Sequence, residues 1–313
     1  MQDQVLQAFL IKRLAQAVVA LLGVATLVFF IQHLAGDPTL LLVPEGATQE
    51  DIDALREALG FNRPLIVQYL DYLGGLLTFD FGRSIVQNVP VMTIISARLP
   101  YTLALAGGAL IVAIGIGLPL GAIMGLKRGR WYARAAMGIA LAGQSLPTFW
   151  SGILLILVFG VTLGWLPPSG ARSGLSIVMP SIALGLLTMA TFARVARTSV
   201  LDEIGKDYVR TARAKGVNTR RLFFRHLIRN GSIPVITVAA LEISNLLAGA
   251  VIVETVFAWP GLGQAAIQAI AARDFLVVQA IVLLGAFASI GLNLLADILY
   301  SVVDPRIRLG RTR

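Results

Sequence analysis

Residues 102–126 read TLALAGGALIVAIGIGLPLGAIMGL, and none of these side chains carries a charge. A helix needs about 20 mainly apolar residues to cross the roughly 30 Å hydrocarbon core of a bilayer, so this stretch is long enough to span a membrane. The basic sequence KRGR follows it directly at residues 127–130. Comparable apolar stretches recur along the chain, and together they predict an all-α membrane protein.

The composition excludes several other classes of protein. The 313 residues are 57% hydrophobic and 14% charged, whereas a soluble domain carries roughly 25% charged residues. The absence of cysteine excludes disulfides, a thiolate nucleophile and cysteine-ligated metals, and two histidines argue against a histidine-based metal cluster. We therefore expect no metal site and no cofactor bound by this chain.

Six apolar stretches predict six membrane-spanning helices. They are Ala15–Leu34, Thr102–Leu126, Met137–Leu163, Ile177–Phe192, Ile233–Phe257 and Phe275–Val303. Twenty of the 26 Lys and Arg residues lie in four segments that flank these stretches, at residues 12–13, 127–134, 194–229 and 306–313. Basic residues mark the cytoplasmic side, so both termini are predicted to be cytoplasmic. The net charge of +9 is therefore interpreted as a topology signal and not as a nucleic-acid-binding surface.

The spans divide the chain into four predicted parts. These are residues 1–34 with the first span, an extracytoplasmic segment at 35–100, a five-helix core at 101–303 with a cytoplasmic loop at about 200–232, and a cytoplasmic tail at 304–313. The extracytoplasmic segment holds eight acidic residues and four Arg, and it carries helix-start signals at Thr48 and at Pro64. We expect it to be a small helical segment that packs against the outer ends of the spans, in preference to binding substrate.

The second predicted span is rich in glycine, at positions 107, 108, 115, 117, 121 and 125. Small residues allow helices in a membrane to approach each other closely. We interpret these glycines as a packing surface and not as part of a cofactor site.

No sequence motif indicates an enzyme. The chain has no G-x-x-x-x-G-K-[ST] loop, no G-x-S-x-G nucleophile elbow and no H-E-x-x-H zinc motif. The polar residues of the spans do not form a nucleophile with its base; they are Gln144, Ser145, Glu242, Asn245, Glu254, Asn293 and Asp297. Energy for any transport must therefore come from a partner or from an ion gradient.

The cytoplasmic segment at residues 207–230 reads DYVRTARAKGVNTRRLFFRHLIRN and predicts two short helices separated by Gly216. A short helix on the inner face of the membrane can insert into a soluble partner. Alternatively, a basic loop can lie on anionic lipid. Composition alone favours the lipid interpretation.

The same segment resembles a known family. TARAKG at 211–216, RHLIRN at 225–230 and the following Ile233-Pro234 are similar to the coupling (EAA-type) loop of ABC-importer permeases, in the dipeptide/oligopeptide/nickel branch. The resemblance covers nearly the whole chain and includes GDP at 36–38, FGRS at 81–84, RLP at 98–100, SLPTFW at 145–150, ETVFAWPGLG at 254–263 and DPR at 304–306. It indicates the first permease subunit of such systems, of the dipeptide-permease B type, with the type I importer fold.

One part of the family motif differs in this chain. The general motif begins Glu-Ala-Ala, whereas this chain has Arg210-Thr211-Ala212, and a later Leu-Pro pair is replaced by Ile228-Arg229. The peptide branch commonly differs in this way, so the coupling role is retained. Any role that depends on the glutamate itself stays open.

The resemblance implies a passive permease subunit in the bacterial inner membrane. A second, homologous permease would complete the translocation path, two ATPase subunits would bind ATP and Mg²⁺, and an extracytoplasmic binding protein would deliver short peptides. The contact with the ATPase is expected at Asp207, Tyr208, Thr211, Ala212, Arg213, Lys215 and Gly216. Tyr208, Ala212 and Gly216 would seat the helix, while Arg213 and Lys215 would make polar contacts.

The translocation path is predicted from the polar residues of the fifth span, Glu242, Ser244, Asn245 and Glu254. A carboxylate near the bilayer centre costs about 2.5–3.5 kcal/mol on insertion scales, so it should face a wet cavity or a partner. Glu242 is the best candidate, whereas Glu254 could instead anchor the neighbouring WPGLG turn. Three alternatives remain open: the same architecture carrying nickel, glutathione or an opine-like solute; an ion-driven secondary transporter; and an intramembrane enzyme or scaffold.

Overall fold

The computed structural model describes residues 2–34, 48–58, 61–216 and 228–303, and the structural statements below refer to these residues. Within them the chain forms eleven α-helices. These are α1 (Gln2–Leu34), α2 (Gln49–Ala58), α3 (Leu65–Thr78), α4 (Val91–Leu126), α5 (Trp131–Ser145), α6 (Thr148–Leu155), α7 (Val178–Ile204), α8 (Asp207–Ala214), α9 (Ile228–Val256), α10 (Leu262–Ala271) and α11 (Phe275–Val303). The predicted second cytoplasmic helix after Gly216 and the predicted tail at 304–313 lie outside the described residues.

Five helical segments are long and apolar enough to cross a membrane. They are Ile11–Ile31, Val91–Leu126, Gly174–Ile204, Val238–Val256 and Phe275–Ala296, and the pair formed by α5 and α6 raises the number to six if it is one span. The architecture is therefore all-helical and multi-spanning, as the sequence predicts.

The third span differs from the continuous helix predicted over Met137–Leu163. Helix α5 ends at Ser145, and α6 begins at Thr148 and continues as a π-helical segment over Ile156–Thr162. The axes of the two pieces are bent by 103°. Pro147 causes the break, because a proline disfavours the helical conformation of the preceding residue, and Leu146 is accordingly extended at φ −81° and ψ 128°.

Two helix boundaries also differ from the prediction. Helix α4 begins at Val91, so the predicted boundary between the outer segment and the core at residue 100 falls inside this helix. Val91 and Ile95 are buried in a cluster with α10 and α11, and this packing extends the helix despite Pro100. Helix α7 continues to Ile204, well beyond the predicted end at Phe192.

Glycine residues bring α4 into direct contact with α7. Gly117, Gly121 and Gly125 recur every fourth residue and therefore lie on one face of α4. A Cβ atom on Gly121 would lie 2.4 Å from the carbonyl oxygen of Ala193, and one on Gly117 would lie 2.6 Å from that of Met189. The backbones thus approach closely, as the glycine-rich sequence predicts, although Gly107 and Gly115 have no such neighbour within 4 Å.

Elements of the segment between α1 and α4 pack against the spanning helices. Tyr69 and Tyr72 of α3 lie on Phe29 of α1, with ring centroids 5.2 and 5.5 Å apart. The Tyr72 hydroxyl donates to the carbonyl of Ala25 at 3.2 Å. Further along, the buried carboxylate of Asp274 accepts a hydrogen bond from the Ser84 hydroxyl, which fixes the loop before α4 to the start of α11.

We predict that Gly121→Leu lowers the free energy of unfolding by about 1–3 kcal/mol, the usual cost of overpacking a filled contact. The matched control is Gly115→Leu, on the same helix at a position with nothing within 4 Å of the added carbon. Thermal unfolding of the purified chain in detergent, followed by circular dichroism, measures both. Equal loss of stability in the two variants would contradict the close contact between α4 and α7.

Candidate functional site

The predicted coupling segment begins with a helix that projects from the end of α7. Helix α7 ends at Ile204, the chain turns at Gly205 and Lys206, and α8 runs from Asp207 to Ala214. Asp207 lies in the first turn of α8, where a negative charge interacts favourably with the helix dipole. Gly216 has φ +74°, a left-handed conformation that glycine adopts without strain and that ends the helix.

A buried carboxylate at the end of α7 holds the first turn of α8. Glu203 is 6% exposed and accepts hydrogen bonds from the Lys206 ammonium and from the Tyr208 hydroxyl. The hydrogen bond to Glu203 raises the pKa of Lys206 above its ordinary value. Val209 is 1% exposed and adds an apolar contact on the same turn. Side-chain hydrogen bonds, in addition to the connecting backbone, therefore hold the start of α8 against the end of α7.

Sequence analysis missed Glu203, although a weak signal was present. An acidic residue at the end of a long helix, followed by Lys three positions later and Tyr five positions later, can pair with both if the chain turns between them. The turn at Gly205 provides that geometry.

The rest of α8 faces outward. Thr211, Lys215 and Gly216 are exposed, and the Thr211 hydroxyl donates to the carbonyl of Asp207 at 3.0 Å. The Arg210 guanidinium (Nη1) lies 3.8 Å from the Asp207 carboxylate (Oδ1), and both side chains are exposed. The side chains of Ala212 and Arg213 are outside the described part of the structure. Among the described side chains of α8, Asp207, Arg210, Thr211 and Ala214 are exposed, so this helix presents a largely polar exposed surface.

The predicted path residues of α9 occupy two separate places. The Asn245 side-chain amide donates to Glu242 at 3.2 Å; Asn245 is exposed and Glu242 is partly buried. Ser244 has a buried hydroxyl that finds no hydrogen-bond partner among the described residues. Glu254 lies twelve residues after Glu242, which is about 18 Å along the helix at a rise of roughly 1.5 Å per residue. The structure therefore groups Glu242 with Asn245 and separates both from Glu254.

Glu254 holds the turn that follows α9 against α4. It is fully buried and accepts hydrogen bonds from the Thr102 hydroxyl at 2.7 Å and from the Gln264 amide at 3.0 Å. The Thr102 hydroxyl in turn accepts the Leu262 amide at 2.8 Å. A Cβ atom on Gly261 would lie 2.1 Å from the carboxylate, so the turn requires glycine there. These contacts favour a role for Glu254 in anchoring the WPGLG turn over a role in lining the translocation path.

Comparisons with known proteins agree on one family. Residues 117–309 match the family described as binding-protein-dependent transport system inner membrane component, and residues 6–106 match its N-terminal counterpart. A protein named as a peptide transport system permease in Brucella abortus is 39% identical, and the match covers 96% of this chain and 99% of that protein. The glutathione transport system permease protein GsiC of Escherichia coli K12 is 40% identical over 96% of this chain and 98% of its own length.

A solved structure shows the same fold. The inward-facing MetNI methionine ABC transporter contains a chain that superposes with a TM-score of 0.54 at 20% sequence identity, covering 68% of this chain and 97% of that chain. The fold is therefore that of type I ABC importer permeases.

We predict that Glu203→Ala loosens α8 from α7. Removal of the carboxylate deletes the hydrogen bonds from Lys206 and Tyr208, and hydrogen bonds to charged groups contribute about 1.5–3 kcal/mol when buried. Lys206 is half-exposed, so we expect a roughly fivefold to tenfold faster tryptic cleavage after Arg210 and Lys215.

The matched control for this experiment is Asp202→Asn, which removes an exposed acid one position earlier. Its cleavage rate should equal that of the unmodified chain. Equal rates for Glu203→Ala and the unmodified chain would show that the carboxylate does not restrain α8.

Proposed function

The chain belongs to the family of binding-protein-dependent transport system inner membrane components, and from this premise we propose that it forms one half of the translocation path for short peptides in an ATP-driven importer. The observation that carries the proposal is the match to peptide-system permeases, which extends over 96% of the chain at about 40% identity. Glutathione, itself a tripeptide, is the second candidate cargo, because one of these relatives is named for its transport.

The proposed assembly contains a second homologous permease, two ATPase subunits that bind ATP and Mg²⁺, and an extracytoplasmic binding protein. This chain would be non-catalytic and would reside in the inner membrane with both termini in the cytoplasm. The basic segments at 12–13, 127–134 and 206–229 support that orientation, since basic residues concentrate on the cytoplasmic side.

Coupling would run from the ATPases through α8 into the spanning helices. Closure of the ATPases on ATP would displace α8, and the Glu203 contacts would pass the displacement to α7. Because α4 is in backbone contact with α7, the two helices would move together. The permease is then a two-state element whose equilibrium is set by a ligand bound elsewhere. Tyr208, Ala212 and Gly216 would seat α8, and Asp207, Thr211, Arg213 and Lys215 would supply polar contacts.

The surface of α9 around Glu242 would face the path or the second permease. A partly buried carboxylate and an exposed amide on a spanning helix are costly in lipid, so neighbouring water or protein is required. Ser244, whose buried hydroxyl has no hydrogen-bond partner among the described residues, lies beside this region, whereas Glu254 would act from inside the chain as an anchor.

The test is reconstitution in lipid vesicles. The chain alone should accumulate no peptide, whereas the complete importer should accumulate peptide only with ATP. Gly216→Pro should abolish uptake while leaving membrane insertion unchanged, because proline cannot adopt the positive φ of Gly216. Ala212→Asp should have the same effect by changing the proposed contact surface.

The matched control is Gly129→Pro, another positive-φ glycine in a cytoplasmic turn with φ +87° and no atom within 4 Å of an added carbon. It should retain ATP-dependent uptake. Accumulation by the chain alone, driven by protons or sodium, would establish the ion-driven alternative and refute the proposal. Competition between a dipeptide and glutathione in the complete importer separates the two cargoes.

A further inference from the structure

The break between α5 and α6 interrupts the predicted third span and leaves the residues around it exposed. Gln144, Ser145 and Leu146 are exposed where α5 ends, and Pro147 precedes the first turn of α6. The last carbonyls of a helix and the first amides of the next have no partners within their own helices. Hydrocarbon cannot satisfy these groups, so a break at this depth must face water or protein.

A positive charge is held at this break. Arg194 of α7 is exposed, and its guanidinium donates to the Gln144 side-chain oxygen at 2.7 Å and to the Thr191 hydroxyl at 3.2 Å. Gln144 lies near the middle of the interrupted helix that runs from Trp131 to Thr162. Arg194 directly follows Ala193, whose backbone packs on Gly117 of α4, nine residues before that helix ends at Leu126. We therefore place the guanidinium within the predicted spans, where an arginine costs about 2.5–3.5 kcal/mol on insertion scales unless it is solvated or paired.

The partners of Arg194 orient its charge without neutralising it. Gln144 and Thr191 are both neutral acceptors, and within the described residues no carboxylate lies within 4.0 Å of the guanidinium. A guanidinium has five N–H donors in a planar fork that matches the two oxygens of a carboxylate. Two of these donors are used, so others remain available to a carboxylate that arrives from the break.

We propose that Arg194, positioned by Gln144 and Thr191 at the break of the third span, binds the carboxylate of the transported peptide during its passage. This inference rests on the proposed function, because short peptides are the solutes that bring a terminal carboxylate into the path. The exposed backbone of the break requires water or protein beside it, and a path for a mobile solute supplies that water. The neutral acceptors hold the guanidinium in place when no carboxylate is present.

The test uses the absence of cysteine from this chain. Ser145→Cys places a single thiol of this chain at the break in the assembled importer, and Leu146→Cys is the second position if the first does not assemble. The labelling rate is measured with an anionic and with a cationic methanethiosulfonate reagent. We expect both reagents to react, with the anionic one favoured, and Arg194→Gln to lower the anionic-to-cationic rate ratio about tenfold through loss of the local positive field.

Two control variants, a protection experiment and an uptake assay test the same role of Arg194. Arg194→Lys should keep most of the reagent preference, and Arg134→Gln, at an exposed arginine near the start of α5, should leave it unchanged. A transported dipeptide should slow labelling, and Arg194→Gln should remove that protection. ATP-dependent uptake of the dipeptide should fall roughly tenfold in Arg194→Gln, a loss of transition-state or ground-state binding to a charged group.

Several outcomes would overturn the inference. A thiol that reacts with neither reagent would show that protein seals the break. A reagent ratio near unity that does not change in Arg194→Gln would indicate that an acid of the second permease already neutralises the charge. Unchanged dipeptide protection in Arg194→Gln would show that the carboxylate binds elsewhere. If the importer with Arg194 intact shows no ATP-dependent uptake at all, the proposed function itself fails; if uptake is normal and the labelling results are negative, only this inference fails.

Discussion

The close contact between α4 and α7 is the constraint on which the rest of the structure depends. Gly117, Gly121 and Gly125 leave no side chain between the two backbones, and a carbon added at any of them would lie within 2.7 Å of an atom of α7. In a bilayer the hydrophobic effect does not drive helices to associate, so close van der Waals packing of small residues is a principal stabilising interaction. Because α4 carries Thr102 and α7 carries Glu203 near its end, this pair of helices connects the turn after α9 to helix α8.

Buried carboxylates secure the other elements to this pair. Glu254 ties the turn after α9 to Thr102, Asp274 ties the outer loop to the start of α11, and Glu203 ties α8 to α7. Each is surrounded by donors from a different segment, as a buried charge requires. Arg194 is different, because its acceptors are neutral and it remains exposed in the chain. A charge that the fold orients without neutralising is the feature expected of a binding residue.

Local sequence patterns predicted the features that depend on neighbouring residues. Apolar length predicted the spans, the abundance of glycine predicted close packing of α4, and Gly216 predicted the end of α8, since each signal lies within a few turns of helix. The missed features depend on tertiary contacts. The presence of Pro147 does not determine whether the helix kinks or breaks at this point. Helix α4 extends back to Val91 because residues of α10 and α11 bury this side chain. Arg194 and Gln144 are separated by 50 residues, so no window of sequence brings them together.

The central claim is that this chain is a passive gate moved through α8 by ATPase subunits. Thr211 is exposed on α8, and Thr211→Cys gives the chain a single thiol that can carry a photoactivatable cross-linker. Illumination of the transporting importer should join this chain to an ATPase subunit, with a yield that changes when ATP is bound. The same label at exposed Gln87, in the segment predicted to be extracytoplasmic, should give no such adduct. ATP-driven uptake without any adduct between residue 211 and an ATPase would contradict the account.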